Sequence, residues 1–361
     1  MDLIPHHIVH IRPQSGIHEG RLLKSRVIHR TPTAVLITLP YLQGKVALLP
    51  TGTMLSVEDA GGLSFHSEII SKTTFASHVC LELELPYNII KQGRKSSPRI
   101  ITVTSGKGGA GKTSFLINTA VAFSQMGKRV CIVDGDLGTA NVDVLLNLNA
   151  YFTIEDVLED KKRIFDILLE GPAGTIVVPG ASGFQPLTSI SQGEVQKLIN
   201  HLGQLEPYVD IILIDTCPGV SNNVMFFNQL ADEIIMLTTP EPHSITDAYA
   251  TLKVLVDKKT TPTMGLVINR AEDRTEAENI SLRITQAARR FLSMDILQLG
   301  YVLDDPHVPQ SIKRLQPCVL KYPEAPASIC YRKIASQLLR TRHERSQGSP
   351  TGKLKKILRL S

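Results

Sequence analysis

Residues 105–114 read Ser-Gly-Lys-Gly-Gly-Ala-Gly-Lys-Thr-Ser, a glycine-rich loop with two lysines and a threonine hydroxyl. Small residues let backbone N–H groups approach phosphate oxygens closely, and a helix N-terminus adds partial positive charge. In the Gly-x-x-x-x-Gly-Lys-Thr pattern, Lys112 reaches the β- and γ-phosphates and the Thr113 hydroxyl is a ligand for Mg²⁺. The ordinary pattern does not require Lys107. The predicted nucleotide-binding residues in this loop are Gly106, Lys107, Gly108, Gly109, Ala110, Gly111, Lys112, Thr113 and Ser114.

Two further motifs place carboxylates directly after apolar runs. Asp134 and Asp136 follow the run 129–133, and Asp215 follows the run 210–214. In a nucleoside triphosphatase, a carboxylate at such a place orients Mg²⁺ through water, which is the role predicted for Asp215. Asp136 is predicted to orient or activate the attacking water. An isolated Asp after a strand is more often a helix cap, and the nearby glycine loop is what favours catalysis.

The segments that must position these residues alternate between apolar runs and helical patterns. The helical spacing is clear at 114–123, directly after the glycine loop. Several runs are continuously apolar, as in strands that are covered on both faces. This pattern predicts a doubly wound α/β domain with a mostly parallel sheet at 100–340, in which the strand ends bring the motifs together. The predicted strands are 100–104, 129–133, 175–178, 210–214, 233–238 and 263–268.

The residues before this domain predict a separate small all-β, barrel-like domain at 1–91. Short β-like runs at 34–39, 45–49, 63–70 and 79–85 are separated by Pro and Gly. The polar, basic stretch 92–99 is interpreted as a linker.

Composition limits the possible classes of protein. The chain has 361 residues, 42% of them hydrophobic and 20% charged, as in an ordinary soluble protein. Its five cysteines include no Cys-x-x-Cys pair, which argues for reduced, cytosolic thiols and against a zinc or iron–sulfur site within one chain. No signal-peptide pattern or membrane-spanning run is present in the sequence, so a cytoplasmic location is expected.

The net charge of +5 comes from the C-terminal end. Residues 331–361 hold nine Lys/Arg and one acid, whereas residues 1–330 hold 30 Lys/Arg and 33 acids. A generally basic surface for nucleic acid is therefore not expected. Within the basic tail 341–361, residues 353–360 would form an amphipathic helix with basic and apolar faces, suited to an anionic membrane. Packing of the tail on its own domain, or binding to nucleic acid, remains an alternative.

Across residues 98–340 the sequence resembles the MinD/ParA group of deviant Walker A ATPases. The resemblance rests on the loop 107–113, on a first switch at 134–136 and on a second switch at 215–219. It implies ATP and Mg²⁺ as cofactors and slow hydrolysis that a partner stimulates. It further implies a homodimer that sandwiches ATP, in which Lys107 reaches the partner's nucleotide and acts with Lys112 and Asp136 in catalysis. Asn269 would contact the adenine.

Within that group, the stretches 134–143, 239–249 and 267–270 resemble flagellum-number regulators of the FlhG, YlxH or FleN type. This implies a role in flagellar number or placement, with cycling on and off the inner membrane face through the tail. Thr139 and Cys217 stand where these regulators usually have Leu and Ala. Such regulators often begin with a segment that stimulates a signal-recognition-type GTPase, and no matching segment begins this sequence.

The N-terminal region weakly resembles the domain that accompanies PilZ domains in flagellar brake proteins. Arg26 and Arg30 have the spacing of half of a cyclic-di-GMP motif, but the other half is absent, so a basic surface pair is favoured. Histidines at positions 6, 7, 10 and 18 suggest a solvated tail more than a metal site.

Other functions remain open at this point. A ParA-like ATPase that positions cargo on nucleoid DNA is the main alternative, and a nucleotide-gated binding module with negligible turnover is another. A metal-cluster scaffold of the Mrp type is disfavoured because the C-terminal region has no Cys-x-x-Cys.

Overall fold

The structure is a computed structural model that describes residues 8–14, 19–30, 34–42, 45–59, 64–75, 78–84, 97–136, 138, 140–181, 192–206, 208–257 and 262–340. The predicted tail helix 353–360, the first five residues of the predicted linker 92–99, and His6, His7 and His18 lie outside these residues. The chain divides into two compact units, Met1–Ser96 and Ser97–Ser361.

The first unit is an antiparallel barrel. Its strands are β1 (Ile8–Pro13), β2 (Leu23–Arg30), β3 (Ala34–Thr38), β4 (Tyr41–Leu42), β5 (Lys45–Val46), β6 (Met54–Asp59), β7 (Ser64–Phe75) and β8 (His78–Glu84). Hydrogen bonding runs in the order β1-β6-β7-β8-β3-β2, and β2 pairs again with β1, so that these six strands close on themselves. The hairpin β4–β5 extends from β2.

Alternation explains the barrel interior. Val9 and Ile11 of β1 and Leu81 and Leu83 of β8 are buried, because every second side chain of a strand faces the same side. The predicted barrel-like β fold is therefore confirmed. The predicted β-like run 45–49 is too long for a strand, since pairing stops at Val46 and Ala47 N then donates to Pro40 O (2.8 Å) outside the ladder.

The second unit contains an eight-stranded sheet with the order β11-β12-β10-β13-β9-β14-β15-β16. Its strands are β9 (Arg99–Thr104), β10 (Val130–Gly135), β11 (Leu169–Glu170), β12 (Ile176–Val178), β13 (Ile211–Thr216), β14 (Glu233–Thr238), β15 (Thr263–Ala271) and β16 (Leu297–Leu303). All neighbouring pairs are parallel except β11–β12. Every residue of β10, β13 and β14 is buried, which explains their continuous apolar runs.

Ten α-helices connect or cover these strands in the described part of this unit. They are α1 (Lys112–Gln125), α2 (Val142–Leu145), α3 (Ile154–Leu158), α4 (Gln192–Gly203), α5 (Asn222–Leu230), α6 (Pro242–Asp257), α7 (Arg274–Leu292), α8 (His307–Lys313), α9 (Cys318–Lys321) and α10 (Pro326–Arg340). Helix α1 is buried from Phe115 to Phe123, and Phe115 lies against Tyr331 of α10, with ring centroids 6.0 Å apart. The predicted doubly wound α/β fold is confirmed. Among the helices described, none is both long and apolar enough to cross a bilayer.

Candidate nucleotide-binding site

The glycine loop connects the end of β9 to the start of α1, which places backbone N–H groups at a helix N-terminus. Gly109 and Gly111 have φ values of 79° and 89°, a left-handed conformation that other residues rarely adopt. A Cβ atom on Gly111 would lie 2.6 Å from Nδ2 of Asn269. A Cβ atom on Gly106 would lie 2.2 Å from the backbone carbon of Asp247 in α6. Glycine is therefore required at both ends of the loop.

Ser105, which the sequence analysis did not select, connects three parts of the site. Its side chain is fully buried, and its Oγ donates to the backbone oxygen of Lys107 (2.7 Å) and accepts from Nζ of Lys112 (3.2 Å). Its backbone oxygen accepts from the N–H of Gly219 (2.9 Å) in the second switch. The only signal in the sequence was its place directly before the glycine loop.

Thr113 and Asp215 are 102 positions apart and are in direct contact. Oγ1 of Thr113 donates to Oδ2 of Asp215 at 2.5 Å. The carboxylate is 3% exposed, and among the described residues its other oxygen, Oδ1, has no hydrogen-bond partner. A buried acceptor without a donor is costly unless something else binds it. A hydrated Mg²⁺ beside Thr113 would supply both the donor and the charge, so these residues fit that ion.

The carboxylate of Asp134 organises the first switch. This residue is fully buried and accepts three backbone N–H bonds, from Asp136 (3.1 Å), Asn141 (2.8 Å) and Val142 (2.9 Å). Val142 begins α2, so Asp134 holds the loop that leads into this helix. Of the two aspartates at the end of β10, Asp134 therefore has the structural role.

Asp136 lies closer to the surface and contacts the second switch. The thiol of Cys217 donates to Oδ1 of Asp136, with an S···O distance of 3.1 Å. Both residues are partly buried. The two switches, which lie at the ends of the adjacent strands β10 and β13, are thus joined by side chains that lie 81 positions apart.

Burial controls the ionisation of this cluster. It raises the pKa of Asp215 to about 7 and that of Asp134 to about 6. The charges of Asp134 and Asp136 raise the pKa of Asp215 further, and the charge of Asp136 raises that of Asp134 to a smaller extent. Burial also lowers the pKa of Lys112, although the carboxylates of Asp215 and Asp136 act in the opposite direction. A divalent cation would stabilise the ionised form of these carboxylates.

The other predicted site residues, Asn269, Lys107 and Lys112, differ in burial. Asn269 is buried, and its Nδ2 donates to the backbone oxygen of Ala110 (2.7 Å), so it supports the glycine loop. Its adenine contact stays a prediction. Lys107 is exposed, whereas Lys112 is buried inside the loop.

A glycine loop between a strand and a helix, with a threonine beside a buried aspartate, defines a P-loop nucleotide-binding protein. Residues 101–318 match the sequence model of the CobQ/CobB/MinD/ParA nucleotide binding domain, and the chain belongs to this family. All the matched residues lie in the second unit. The chain is thus a P-loop ATPase of the MinD/ParA type.

Three similar proteins refine this assignment. The antiactivator FleN of Pseudomonas aeruginosa is 33% identical over 69% of this chain and 89% of FleN. The flagellum site-determining protein YlxH of Helicobacter pylori is 30% identical over 58% of this chain and 70% of YlxH. The septum site-determining protein MinD of Pyrococcus horikoshii, whose structure contains Mg-ADP, is 28% identical with a TM-score of 0.56, covering 67% of this chain and 96% of MinD.

These similarities confirm the resemblance to the flagellum-number regulators and establish ATP and Mg²⁺ as the cofactors of this site.

Proposed function

We propose that this ATPase dimerises around ATP, binds the inner face of the cytoplasmic membrane in that state, and regulates the number or placement of flagella. Hydrolysis returns it to the cytoplasm, and turnover is slow until a partner stimulates it. The observation that carries the proposal is the different placement of the two lysines in the loop.

Lys112 is buried and bonded to Ser105, so its charge serves the nucleotide of its own subunit. Lys107 is exposed, yet its backbone oxygen is held by the same serine. A fixed backbone that presents a charged side chain to solvent suits contact with the phosphates of a second subunit. The similarity to MinD and YlxH supports this interpretation.

The other residues complete the proposed chemistry. Thr113 and Asp215 would hold Mg²⁺, the hydroxyl directly and the carboxylate through water, because Mg²⁺ prefers oxygen ligands and keeps several of its waters. Asp136 orients the attacking water, and both lysines stabilise charge that develops on the transferred phosphoryl group. Asn269 contributes to the adenine pocket.

The dimer is tested with single lysine variants. Lys112→Ala should lose ATP binding, whereas Lys107→Ala should bind ATP but fail to dimerise with it. Lys333→Ala, which removes an exposed lysine of α10, is the matched control and should change neither property. Fluorescent-nucleotide titration measures binding, and sedimentation velocity with and without ATP measures dimerisation. Normal ATP-dependent dimerisation of Lys107→Ala would show that the proposed role of Lys107 is wrong.

Membrane binding is assigned to the tail. Two tails on one dimer bind together far more strongly than one, which would couple ATP binding to membrane residence. ATP-loaded protein should sediment with phosphatidylglycerol vesicles but not with phosphatidylcholine vesicles, and a chain lacking residues 349–361 should stay in solution. Sedimentation of the truncated chain would rule out the tail as the anchor. Salt-sensitive binding to arbitrary duplex DNA without vesicle binding would favour the ParA-like alternative.

The flagellar role requires a cellular measurement. Cells that lack the chain should have an altered number or position of flagella in electron micrographs, and the Lys112→Ala variant should not restore the normal pattern. A signal-recognition-type GTPase or another flagellar regulator is the proposed stimulating partner, tested by phosphate release. An unchanged flagellar pattern would reject the flagellar role and leave the ATPase assignment intact.

A further inference from the structure

A side-chain hydrogen bond joins the two switches, from the thiol of Cys217 to Oδ1 of Asp136 (3.1 Å). Cys217 follows β13 by one residue, and Asp136 follows β10 by one residue. The two strands are neighbours in register, with Asp134 opposite Asp215 and Gly135 opposite Thr216. The next residues of both strands are therefore Asp136 and Cys217, and the sheet itself brings them together.

This contact restrains Asp136 at its reactive end. The backbone N–H of Asp136 already donates to Oδ1 of Asp134 (3.1 Å), which fixes the backbone position of Asp136. The thiol adds a second restraint, on the carboxylate at the end of the side chain. Lys112 interacts electrostatically with both Asp136 and Cys217, so the contact lies within the nucleotide site.

Close packing also couples the positions of the two switches. A Cβ atom on Gly135 would lie 2.7 Å from the backbone oxygen of Asp215, so the strand ends are as close as glycine permits. Phe227 of α5 lies 2.9 Å from the same Cβ position. The backbone that carries Asp136 is thus packed against the strand that leads to Cys217. A shift of one switch towards the other therefore displaces it.

We propose that Cys217 is a positioning residue that holds the carboxylate of Asp136 in the orientation needed to align the attacking water. The inference rests on the proposed role of Asp136. Alignment errors of about 1 Å can cost roughly 100-fold in rate, and a thiol is a weak donor, so the expected loss is smaller. Cys217→Ala should lower kcat about tenfold and leave KM for ATP within about twofold. Cys217→Ser keeps a donor on the same Cβ and should stay within about threefold of the wild-type kcat.

The experiment measures steady-state ATP hydrolysis of the full chain for the wild type, Cys217→Ala, Cys217→Ser and Asp136→Asn. Cys330→Ala is the control for removal of a thiol, since Cys330 lies in the hydrophobic core of the domain, and it should hydrolyse ATP normally. Far-UV circular dichroism and nucleotide titration confirm that each variant folds and binds ATP.

A second measurement does not depend on turnover. In nucleotide-free protein, the combined effect of Cys217→Ala and Asp136→Ala on the denaturation midpoint should be smaller than the sum of the separate effects, because each variant removes one partner of the same hydrogen bond. Strict additivity would overturn the inference.

The outcomes also separate the two proposals. If Asp136→Asn hydrolyses ATP at the wild-type rate, the proposed function of Asp136 is wrong. If Asp136→Asn is inactive while Cys217→Ala retains the wild-type kcat, only the positioning role of Cys217 is wrong. An equally low kcat for Cys217→Ser and Cys217→Ala would show that the hydrogen bond is not the cause.

Discussion

Gly106 provides the most direct test of how the glycine loop is built. A Cβ atom at this position would lie 2.2 Å from the backbone carbon of Asp247, 2.4 Å from its oxygen and 2.6 Å from the nitrogen of Ala248. These atoms belong to the middle of α6, which packs on β14 and α7. A flexible side chain could move aside at little cost, but a helix backbone cannot. Gly106→Ala should therefore displace either the loop or the helix.

The size of the effect follows from two opposing contributions. Overpacking of a well-packed region typically costs about 1–3 kcal/mol, and contact with a helix backbone places Gly106→Ala near the upper value. Replacing glycine lowers the entropy of the unfolded chain and offsets about 0.4–1 kcal/mol. The net loss is about 2 kcal/mol, which in a domain of this size lowers Tm by about 4–8 °C.

Gly108→Ala is the matched control in the same loop. Its Cβ atom would meet only Pro218 Cγ at 3.9 Å, and Gly108 is not among the glycines with positive φ. Its Tm in nucleotide-free protein should be unchanged or slightly raised. The chain contains no Trp, so thermal melting is best followed by far-UV circular dichroism.

ATP binding supplies a second readout for Gly106→Ala. Displacement of the loop moves the N–H groups that face the phosphates, and ATP affinity should fall by more than tenfold. A variant with the wild-type Tm and wild-type ATP affinity would refute the argument that α6 determines the residue at this position.

Two further predictions concern buried charges. Because burial raises the pKa of Asp215 from 3.8 to about 7, the nucleotide-free protein binds more protons when folded, and this contribution to stability is lost as pH rises from about 4 to about 7. Asp215→Asn should remove that loss. At pH 8 without Mg²⁺ it should therefore unfold at a higher urea concentration than the wild type, yet bind Mg-ATP poorly. Equal slopes of unfolding free energy against pH for the two proteins would contradict the raised pKa of Asp215. Arg99 forms a largely buried ion pair with Glu233 and also donates to the backbone oxygen of Leu338. Arg99→Met should lower the free energy of unfolding, measured by urea denaturation, by about 3–5 kcal/mol. The double variant Arg99→Met with Glu233→Leu should recover most of this loss. No recovery in the double variant would show that the ion pair is not the source of the loss.

The parts of this protein that could be predicted from its sequence are those in which one short segment carries its own physical signal. The glycine loop is such a segment, because glycines, a lysine and a threonine at fixed spacing specify both backbone shape and chemistry. The central strands are another, because burial on both faces requires continuous apolar runs. Strand β16 was missed because it lies at the sheet edge, where Leu297 and Gln298 are exposed and the run is interrupted by Gly300.

The contacts made across the sheet could not be predicted in this way. The strand order β10-β13-β9 differs from the order in the chain, so the neighbours of each motif depend on the whole fold. The closure of the barrel by β1 and β2 has the same origin, since pairing of these strands leaves no local pattern in either of them. The role of Ser105 likewise depends on Gly219, which is far away in the sequence.

The two aspartates at the end of β10 show how position, and not residue type, decides a role. Asp134 is still within the strand, where burial forces its carboxylate to accept backbone N–H groups and thereby to shape the first switch. Asp136 lies just beyond the strand, where its carboxylate is partly exposed and meets Cys217 from the neighbouring loop. In the sequence, both aspartates follow the same apolar run, and no local pattern distinguishes their roles. The sheet separates a structural carboxylate from one that is available for chemistry, because only the second lies past the edge at which the strands end.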